Sequence, residues 1–303
     1  MKQRKACIFG GTGFIGQHLL MRLGKAGYQC VVPTRRPHRH RELKLVPQTT
    51  LREIIQLDEA TLADCMAGCD VVVNLIGILN EQGNTRFAEV HVELVQRLGA
   101  ALSDTGVPRL LHMSALQAHA ERGSSAYLRS KGLGEDLAHT IGAATPGLAV
   151  TSFRPSVVFG RGDSLFNRFA SLLRLTPGIL PLAAPDARFA PVWAGDVAEA
   201  MVRTLTLPES AGRRYDLCGP RIFTLREIVE YSARRIGRRV LILPLNERQS
   251  ALQARLLEYL PGKPLTRDNL LSLKTASICG QHNGLLELGV HPTDIETVVP
   301  TYL

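Results

Sequence analysis

Three glycines at three-residue spacing follow the first apolar run of this 303-residue chain. The run at 6–9 is typical of a buried strand, and an apolar, helix-like segment follows Gly16. In such an arrangement Gly10 permits a tight turn, Gly13 lets the backbone approach a phosphate, and Gly16 allows close packing of the helix. Because backbone N–H groups and a helix N-terminus then face one point, the pattern predicts a site for the pyrophosphate of a nucleotide.

Strand-like and helix-like segments alternate through the first half of the chain. This alternation predicts an α/β fold, a Rossmann-type doubly wound parallel sheet with helices on both faces. The run at 71–75, apolar except for Asn74, fits a strand that is buried on both sides. The predicted strands cover 5–9, 29–33, 52–56, 70–75, 109–113 and 148–153, and the predicted helices cover 14–24, 61–67, 86–104 and 125–141.

The pattern loosens after Pro155. We therefore predict a nucleotide-binding Rossmann domain at 1–159, to which a segment near 193–217 returns, and a smaller C-terminal substrate subdomain at 160–303. Within the second half we expect a helix start at Asp196, a strand at 214–218, a capping box from Thr224 to Glu227, a helix at 246–260 and a capped segment from Thr266.

Composition narrows the classes of function. No apolar run approaches the roughly 20 residues that span a bilayer, and the apolar stretch after the basic lead-in at 1–5 is too short for a secretory signal. We expect a cytoplasmic protein and leave open a peripheral contact at the inner face of the cytoplasmic membrane, because the segment 246–260 is mildly amphipathic. The net charge of +9 is spread along the chain and aromatic residues are few, so nucleic-acid binding is disfavoured.

The six cysteines are expected to be reduced, as in a reducing compartment. Cys65 and Cys69 lie one helical turn apart, but no second pair of cysteines or histidines lies nearby to complete a zinc site. No metal site is predicted.

The residues after the second predicted strand indicate the cofactor. Dinucleotide folds place an acidic residue there to bind a ribose 2′-hydroxyl, or arginine to bind a 2′-phosphate. This chain has Arg35 and Arg36 and no acid at that position. Guanidinium groups pair well with phosphate, so we predict NADP(H) as the preferred cofactor, with NAD(H) as the second choice. A solvated basic loop with no cofactor preference is the alternative.

A second group of polar residues suggests redox chemistry. Tyr127 and Lys131 lie one helical turn apart on the same face of a predicted helix, and Ser114 closes the fifth predicted strand. Because the carboxyl ends of parallel strands face the ligand crevice, Ser114 and Tyr127 can converge beside a nicotinamide. Tyr127 would transfer a proton, Lys131 would lower the phenol pKa and bind the ribose, and Ser114 would hold the substrate oxygen.

Taken together, these features resemble the extended or atypical short-chain dehydrogenases/reductases of the NAD-dependent epimerase/dehydratase superfamily. A closer resemblance is to the nucleotide-binding accessory subunit family of respiratory complex I and its bacterial relatives. The broader resemblance depends on 10–16, 74–77, Ser114, Tyr127 with Lys131, and 154–160. The closer one depends on 73–79, 127–131, 160–170 and 264–269.

The resemblance implies further cofactor contacts. These are Thr12, Gly13, Phe14 and Ile15 around the pyrophosphate, Leu75, Ile76 and Gly77 around the adenosine and a ribose, and Pro155, Ser156 and Val157 over the nicotinamide. Two positions depart from the family pattern. No acid stands directly after the third strand, with Asp58 slightly late, and His91 replaces an asparagine that often relays protons. His91 could relay a proton or serve only in packing.

Two functions are consistent with these residues. The first is an NADP-dependent oxidoreductase that acts on a small or lipophilic carbonyl, or on a quinone-related substrate, through Ser114, Tyr127 and Lys131. The second, implied by the resemblance, is a protein that holds its nucleotide as a structural element and supports respiratory-complex assembly or quinone metabolism. Its partners would be respiratory-chain or quinone-biosynthesis proteins.

Overall fold

The computed structural model describes residues 3–176, 178–260 and 262–303. Its centre is a seven-stranded parallel sheet, which confirms the predicted Rossmann-type architecture. In chain order the strands of this sheet are β1 (Lys5–Phe9), β2 (Gln29–Thr34), β3 (Thr49–Glu53), β4 (Val71–Asn74), β5 (Arg109–Met113), β6 (Ala149–Pro155) and β11 (Arg214–Leu217). Their spatial order is β11-β6-β5-β4-β1-β2-β3, so the direction of winding reverses between β1 and β4. Ligands of such sheets bind at this switch point, outside the carboxyl ends of the strands.

Short strands build the remainder of the chain. They are β7 (Val158–Phe159), β8 (Ile179–Leu182), β9 (Arg188–Phe189), β10 (Val192–Trp193), β12 (Phe223–Thr224) and β13 (Leu241–Pro244). Strand β7 pairs with β10 and β8 with β13 in parallel, and β9 pairs with β12 antiparallel. The helices are α1 (Phe14–Lys25), α2 (Glu59–Met66), α3 (Leu94–Thr105), α4 (Ala126–Ala144), α5 (Phe166–Leu175), α6 (Ala194–Thr204), α7 (Leu225–Arg235), α8 (Glu247–Leu257), α9 (Arg267–Leu273), α10 (Gly284–Glu287) and α11 (Ile295–Val298).

The large sheet has an apolar core on each face. In β1 the side chains of Ala6 and Ile8 enter a core with α1 and α6, and those of Cys7 and Phe9 enter a second core with α2 and α3. This alternation, with burial on both sides, explains why β1 and β4 are almost continuously apolar. Strand β11 is part of the large sheet, and α6 packs in one of its two cores. Two smaller cores, around Phe166 and around Leu180, lie outside the large sheet.

Two predicted features differ in the structure. The third strand lies at Thr49–Glu53 instead of 52–56, because the polar Thr49 and Thr50 complete the ladder with β2 at the sheet edge. Helix α6 begins at Ala194, and Asp196 is a buried acceptor for the Thr293 backbone N–H at 2.6 Å, not a helix cap. The capping box at Thr224 is confirmed.

The prediction that all cysteines are reduced is wrong for one pair. Cys218 and Cys279 form a disulfide with a Cα–Cα distance of 6.0 Å, although 61 residues separate them. Cys218 directly follows β11, and the chain after α9 returns past the same end of the sheet. The other four cysteines are free and buried.

None of the helices in the described residues is long and apolar enough to cross a bilayer. The predicted basic lead-in at 1–5 includes positions 1 and 2, which lie outside the described residues.

Candidate active site

The glycine turn lies at the switch point of the sheet. Gly10 has a φ of +81°, and a Cβ at this position would lie 3.0 Å from the carbonyl carbon of Leu75 at the end of β4. A Cβ on Gly16 would lie 2.5 Å from the Gly11 carbonyl oxygen, so only glycine lets α1 pack against the turn. Helix α1 follows Gly13, which supplies no side-chain cap. The first-turn N–H groups of α1 therefore receive no side-chain acceptor from their cap residue, and an anion could accept from them.

A cavity of about 410 Å³ opens beside this turn. It collects most of the predicted site residues: Phe14, Ile15, Leu75, Gly77, Ser114, Tyr127, Lys131, Pro155, Ser156 and Val157. Its other walls are largely apolar and include Ile78, Leu79, Met113, Leu165 and Phe189. Outside its lining stand Gly10, Thr12, Gly13, Gly16, Arg35, Arg36 and Ile76.

Ser114 carries the clearest sign of a ligand in this cavity. It directly follows β5, and its backbone N–H donates to the Phe153 carbonyl at 2.8 Å. The side chain is buried, yet the described residues offer its hydroxyl no hydrogen-bond partner. A buried polar group without a partner costs about 1–3 kcal/mol. An oxygen or nitrogen of a bound molecule would remove that cost.

Tyr127 lies in the first turn of α4, after the N-cap residue Ser125. Its ring makes edge contacts with Phe87 and with His91 at centroid distances of 5.9 and 5.7 Å. Burial raises the pKa of the phenol to about 12. The predicted lowering by Lys131 is not seen, because loss of hydration disfavours the phenolate here. Tyr127 therefore keeps its proton across the physiological pH range.

Lys131 extends from α4 to the end of β5. Its Nζ donates to the Met113 carbonyl oxygen at 2.6 Å, and the residue is only 5% exposed. Burial lowers the pKa of this ammonium group to about 8, against an opposing attraction from Glu135. That carboxylate is fully buried and already binds Arg154 and Arg214, each at 2.6 Å. The lysine charge is thus costly to the fold and weakly compensated.

His91 uses both ring nitrogens within the protein. It lies in a π-helical segment (Glu89–Glu93), where Nε2 accepts from the Ile78 N–H at 3.1 Å and Nδ1 contacts the Ser130 hydroxyl at 2.8 Å. Ser130 in turn donates to the Tyr127 carbonyl at 2.8 Å. These hydrogen bonds require a neutral imidazole that carries its proton on Nδ1. Burial, and to a smaller extent the charge of Lys131, lowers the pKa of His91 to about 3. The geometry favours a positioning role for His91.

Sequence reasoning missed a segment that completes the site. Residues 266–279, here called the strap, carry α9 and reach the first turn of α4. The Asp268 carboxylate accepts from the backbone N–H groups of Ala126 at 2.7 Å and Tyr127 at 3.1 Å. The Ser272 hydroxyl donates to the Ser125 hydroxyl at 2.8 Å. The capping box at Thr266 predicted a helix here, but nothing in the local sequence indicated which helix it would meet.

The strap also forms one wall of the cavity, through Ser272, Leu273, Thr275 and Ser277. Ser156, which the resemblance places over the nicotinamide, donates its hydroxyl proton to the Ser277 carbonyl at 2.6 Å. The Cys218–Cys279 disulfide fixes the end of the strap to the sheet. Residues 141 positions apart along the chain are thereby brought together at Tyr127.

The two arginines after β2 are exposed and have no ion-pair partner among the residues that the structure describes. They follow the buried Thr34, whose hydroxyl accepts from the Arg36 N–H at 3.4 Å. Asp58, the late acid after the third strand, caps α2 by accepting from the Thr61 N–H at 2.8 Å. It is therefore already used in the fold, whereas Arg35 and Arg36 remain available to an anion.

Comparison with known proteins places this geometry in context. The model of the NAD dependent epimerase/dehydratase family matches residues 6–218. The chain is 29% identical over 299 residues to the mitochondrial NADH dehydrogenase (ubiquinone) 1 alpha subcomplex subunit 9 of Mus musculus. This match covers 96% of this chain and 77% of that protein. It is 28% identical over 207 residues to the ceramide reductase of Caulobacter vibrioides, covering 66% of this chain and 61% of that protein.

Solved structures share the fold at lower sequence identity. The NADPH-dependent quinone oxidoreductase QOR2 of Escherichia coli, complexed with NADPH, superposes with a TM-score of 0.76 at 20% identity. The match covers 98% of this chain and 100% of that one.

Proposed function

Because this chain belongs to the NAD-dependent epimerase/dehydratase family, we propose that it is an NADP(H)-dependent oxidoreductase that reduces a lipophilic or small carbonyl, or a quinone-related compound. One observation carries the proposal. The buried Ser114 hydroxyl lacks a partner in a largely apolar cavity that Tyr127 and Lys131 also line. A carbonyl oxygen within an apolar substrate would satisfy that hydroxyl and match the walls.

The residues around the cavity fit a nicotinamide dinucleotide. The glycine turn leaves room only for backbone, and the α1 N-terminus beside it suits a pyrophosphate. Gly77 lies close to Lys131 and His91, since a Cβ there would lie 3.8 Å from the lysine Nζ. Lys131 would therefore bind the ribose on the nicotinamide side. When bound, the nicotinamide supplies or accepts the hydride.

The side chains then divide the work on the substrate oxygen. Ser114 donates a hydrogen bond that orients the carbonyl, and Tyr127 donates the proton that the reduced oxygen needs. A phenol with a pKa of about 12 is protonated before reaction, which suits reduction better than oxidation. Lys131 does not lower the phenol pKa, so its part would be to hold the ribose that carries the nicotinamide.

The preference for NADP(H) rests on Arg35 and Arg36. Both follow β2, at the position that meets the adenosine ribose in this fold, and neither is used in an ion pair within the described chain. Two guanidinium groups would bind a 2′-phosphate in place of the acid that selects NAD(H). QOR2, which shares the fold of this chain, is complexed with NADPH, and this supports the proposal.

A second function is favoured by the Lys131 contact. The ammonium group donates to the Met113 carbonyl, and this hydrogen bond holds α4 to the end of β5. The pKa of the Tyr127 phenol stays high. Under this second proposal the nucleotide is a structural element, as the similarity to a complex I subunit suggests. A ligand that binds only the native state stabilises it by about 4 kcal/mol at a thousandfold excess over its Kd. Respiratory-chain or quinone-biosynthesis proteins would be the partners, at the inner face of the cytoplasmic membrane.

Steady-state oxidation of NADPH separates the two functions. We expect turnover with at least one member of a panel of lipophilic ketones, aldehydes and quinones. Tyr127→Phe should reduce kcat by about 10²–10⁴-fold while NADPH affinity stays unchanged. Tyr259→Phe, which alters a tyrosine that is 85% exposed, serves as the matched control. Bound NADPH that no panel member oxidises, together with unchanged thermal stabilisation in Tyr127→Phe, would support the structural function instead.

A further inference from the structure

The two-stranded ribbon of β8 and β13 is apolar on both faces. Its inner face contributes Leu180 and Ile242 to a buried core. On its outer face Ile179 pairs with Leu241 and Pro181 with Leu243 in register, and all four side chains are exposed. Outer faces of small sheets are normally polar, so an exposed apolar ribbon marks an interaction surface.

Helix α8 extends this apolar surface. Leu252, Leu256, Tyr259 and Leu260 recur at helical spacing on and just beyond α8, and all are exposed. The Gln253 side chain donates to the Pro181 carbonyl at 2.9 Å and fixes the helix beside the ribbon. We call the exposed apolar residues of β8, β13 and 252–260 the apolar ridge. Its residues come from three surface elements that lie next to one another in the fold, although β8 is distant from β13 and α8 along the chain.

Cations surround the apolar ridge. Residues 234–260 contain six arginines and two acids, Glu247 and Glu258, of which Glu258 pairs with Arg267. Arg238 and Arg239 immediately precede β13, and Arg248 and Arg255 lie on α8. None of these four has an ion-pair partner within the described parts of the chain, and Glu247 binds Lys274. A partner for this surface must therefore be apolar at its centre and negatively charged around it.

An anionic lipid bilayer meets both requirements. We propose that the apolar ridge docks the protein peripherally on the surface of an anionic membrane, with its leucines and Tyr259 in the interface and the arginines at the headgroups. Apolar side chains flanked by basic ones are the pattern of interfacial helices, and arginines near the headgroups add attraction to anionic lipid. The inference goes beyond the proposed reaction, since the ridge lies outside the lining of the cavity that holds Tyr127.

Cosedimentation with vesicles tests the inference on the full chain. The probes are vesicles of phosphatidylcholine alone and of phosphatidylcholine with phosphatidylglycerol. We expect binding to the second kind only, weakening as salt rises. The double variant Leu252→Glu/Leu256→Glu should bind about tenfold more weakly or worse. The matched control, Leu45→Glu/Ile55→Glu, places the same charges on exposed apolar residues outside the ridge and should bind like wild type.

A second variant protects the test from misfolding. Arg238→Gln/Arg239→Gln changes only exposed side chains and should reduce binding about tenfold, and NADPH binding reports that each variant is folded. Absence of vesicle binding by wild type would overturn the inference. So would equal binding to both kinds of vesicle, equal loss in the matched control, or a ridge that binds a protein partner and no vesicles.

Discussion

The two sides of the crevice are built in different ways. The side at β1 is made of backbone: glycines without Cβ atoms and a helix N-terminus without a side-chain cap. The side at β5 and α4 is made of side chains, the buried Ser114 and Lys131 and the partly buried Tyr127, and the distant strap supports it through Asp268. The glycine turn at 10–16 has no ionisable side chain and tolerates little change of shape. The side-chain side depends on charge, burial and a contact that spans half of the chain.

The pH dependence of stability should belong to the side-chain side. The pKa of Lys131 falls from 10.5 in an unperturbed side chain to about 8 in the fold. Between these pH values the unfolded chain binds more protons than the native one, so stability rises with pH in this window and the full penalty is present below pH 8. Relative to Lys131→Met, wild type should gain up to about 3 kcal/mol from pH 8 to 10.5 in urea unfolding. A constant difference over this range would contradict the burial argument.

The backbone side should respond to a single methyl group. In Gly16→Ala the new Cβ would meet the Gly11 and Gly10 carbonyl oxygens at 2.5 and 2.6 Å. Because the turn must move, we expect a loss of about 2 kcal/mol in unfolding free energy and a large loss of NADPH affinity, measured by calorimetry. Gly280→Ala is the control, since nothing lies within 4 Å of a Cβ there. Equal behaviour of both variants would show that close packing of the turn is unimportant.

The positive charges of Arg35 and Arg36, which follow β2 on the same side of the crevice as the glycine turn, should select the cofactor. Arg35→Asp should lower NADPH affinity by about 10–100-fold, the value of one or two charge-assisted hydrogen bonds, and leave NADH affinity unchanged or improved. The same change just before β13, Arg238→Asp, controls for net charge. Equal losses for NADPH and NADH, or similar affinities in wild type, would show that the loop is only a solvated basic segment.

The smallest expected effect concerns the strap. Asp268→Asn keeps a hydrogen-bond acceptor but removes the negative charge at the N-terminus of α4, and should cost about 0.5–1 kcal/mol in stability. Asp58→Asn at the start of α2 should cost about the same. Only the strap variant should also lower kcat several-fold and speed hydrogen exchange at the Tyr127 amide. If both variants leave kcat unchanged, the strap does not position the tyrosine.

The same contrast explains how much could be predicted from the sequence. Periodicity placed the buried strands well, and the predicted strand at 109–113 coincides with β5. It failed at the third strand, where the edge position lets Thr49 and Thr50 pair while Ile55 is 92% exposed. Central strands must be apolar on both faces, whereas an edge strand need not be, so its boundaries are weakly encoded.

The side-chain side was only half predictable. Spacing along one helix suggested Tyr127 and Lys131, but the pKa of each depends on burial, which no local pattern reports. Asp268 and the Cys218–Cys279 pair are contacts between segments that are 141 and 61 residues apart, respectively. Their roles follow from where the chain returns after α9, and one sequence alone does not give that path. The assignments of individual site residues remain predictions.

A crystal structure of the protein with NADPH tests the central claim most directly. The account predicts the pyrophosphate against the N-terminus of α1 and the 2′-phosphate beside Arg35 and Arg36. It places the nicotinamide ring in the 410 Å³ cavity, with space for one substrate between the ring and the hydroxyl groups of Tyr127 and Ser114. NADPH bound elsewhere, or a nicotinamide ring outside the cavity with the Tyr127 phenol directed away from it, would contradict the account.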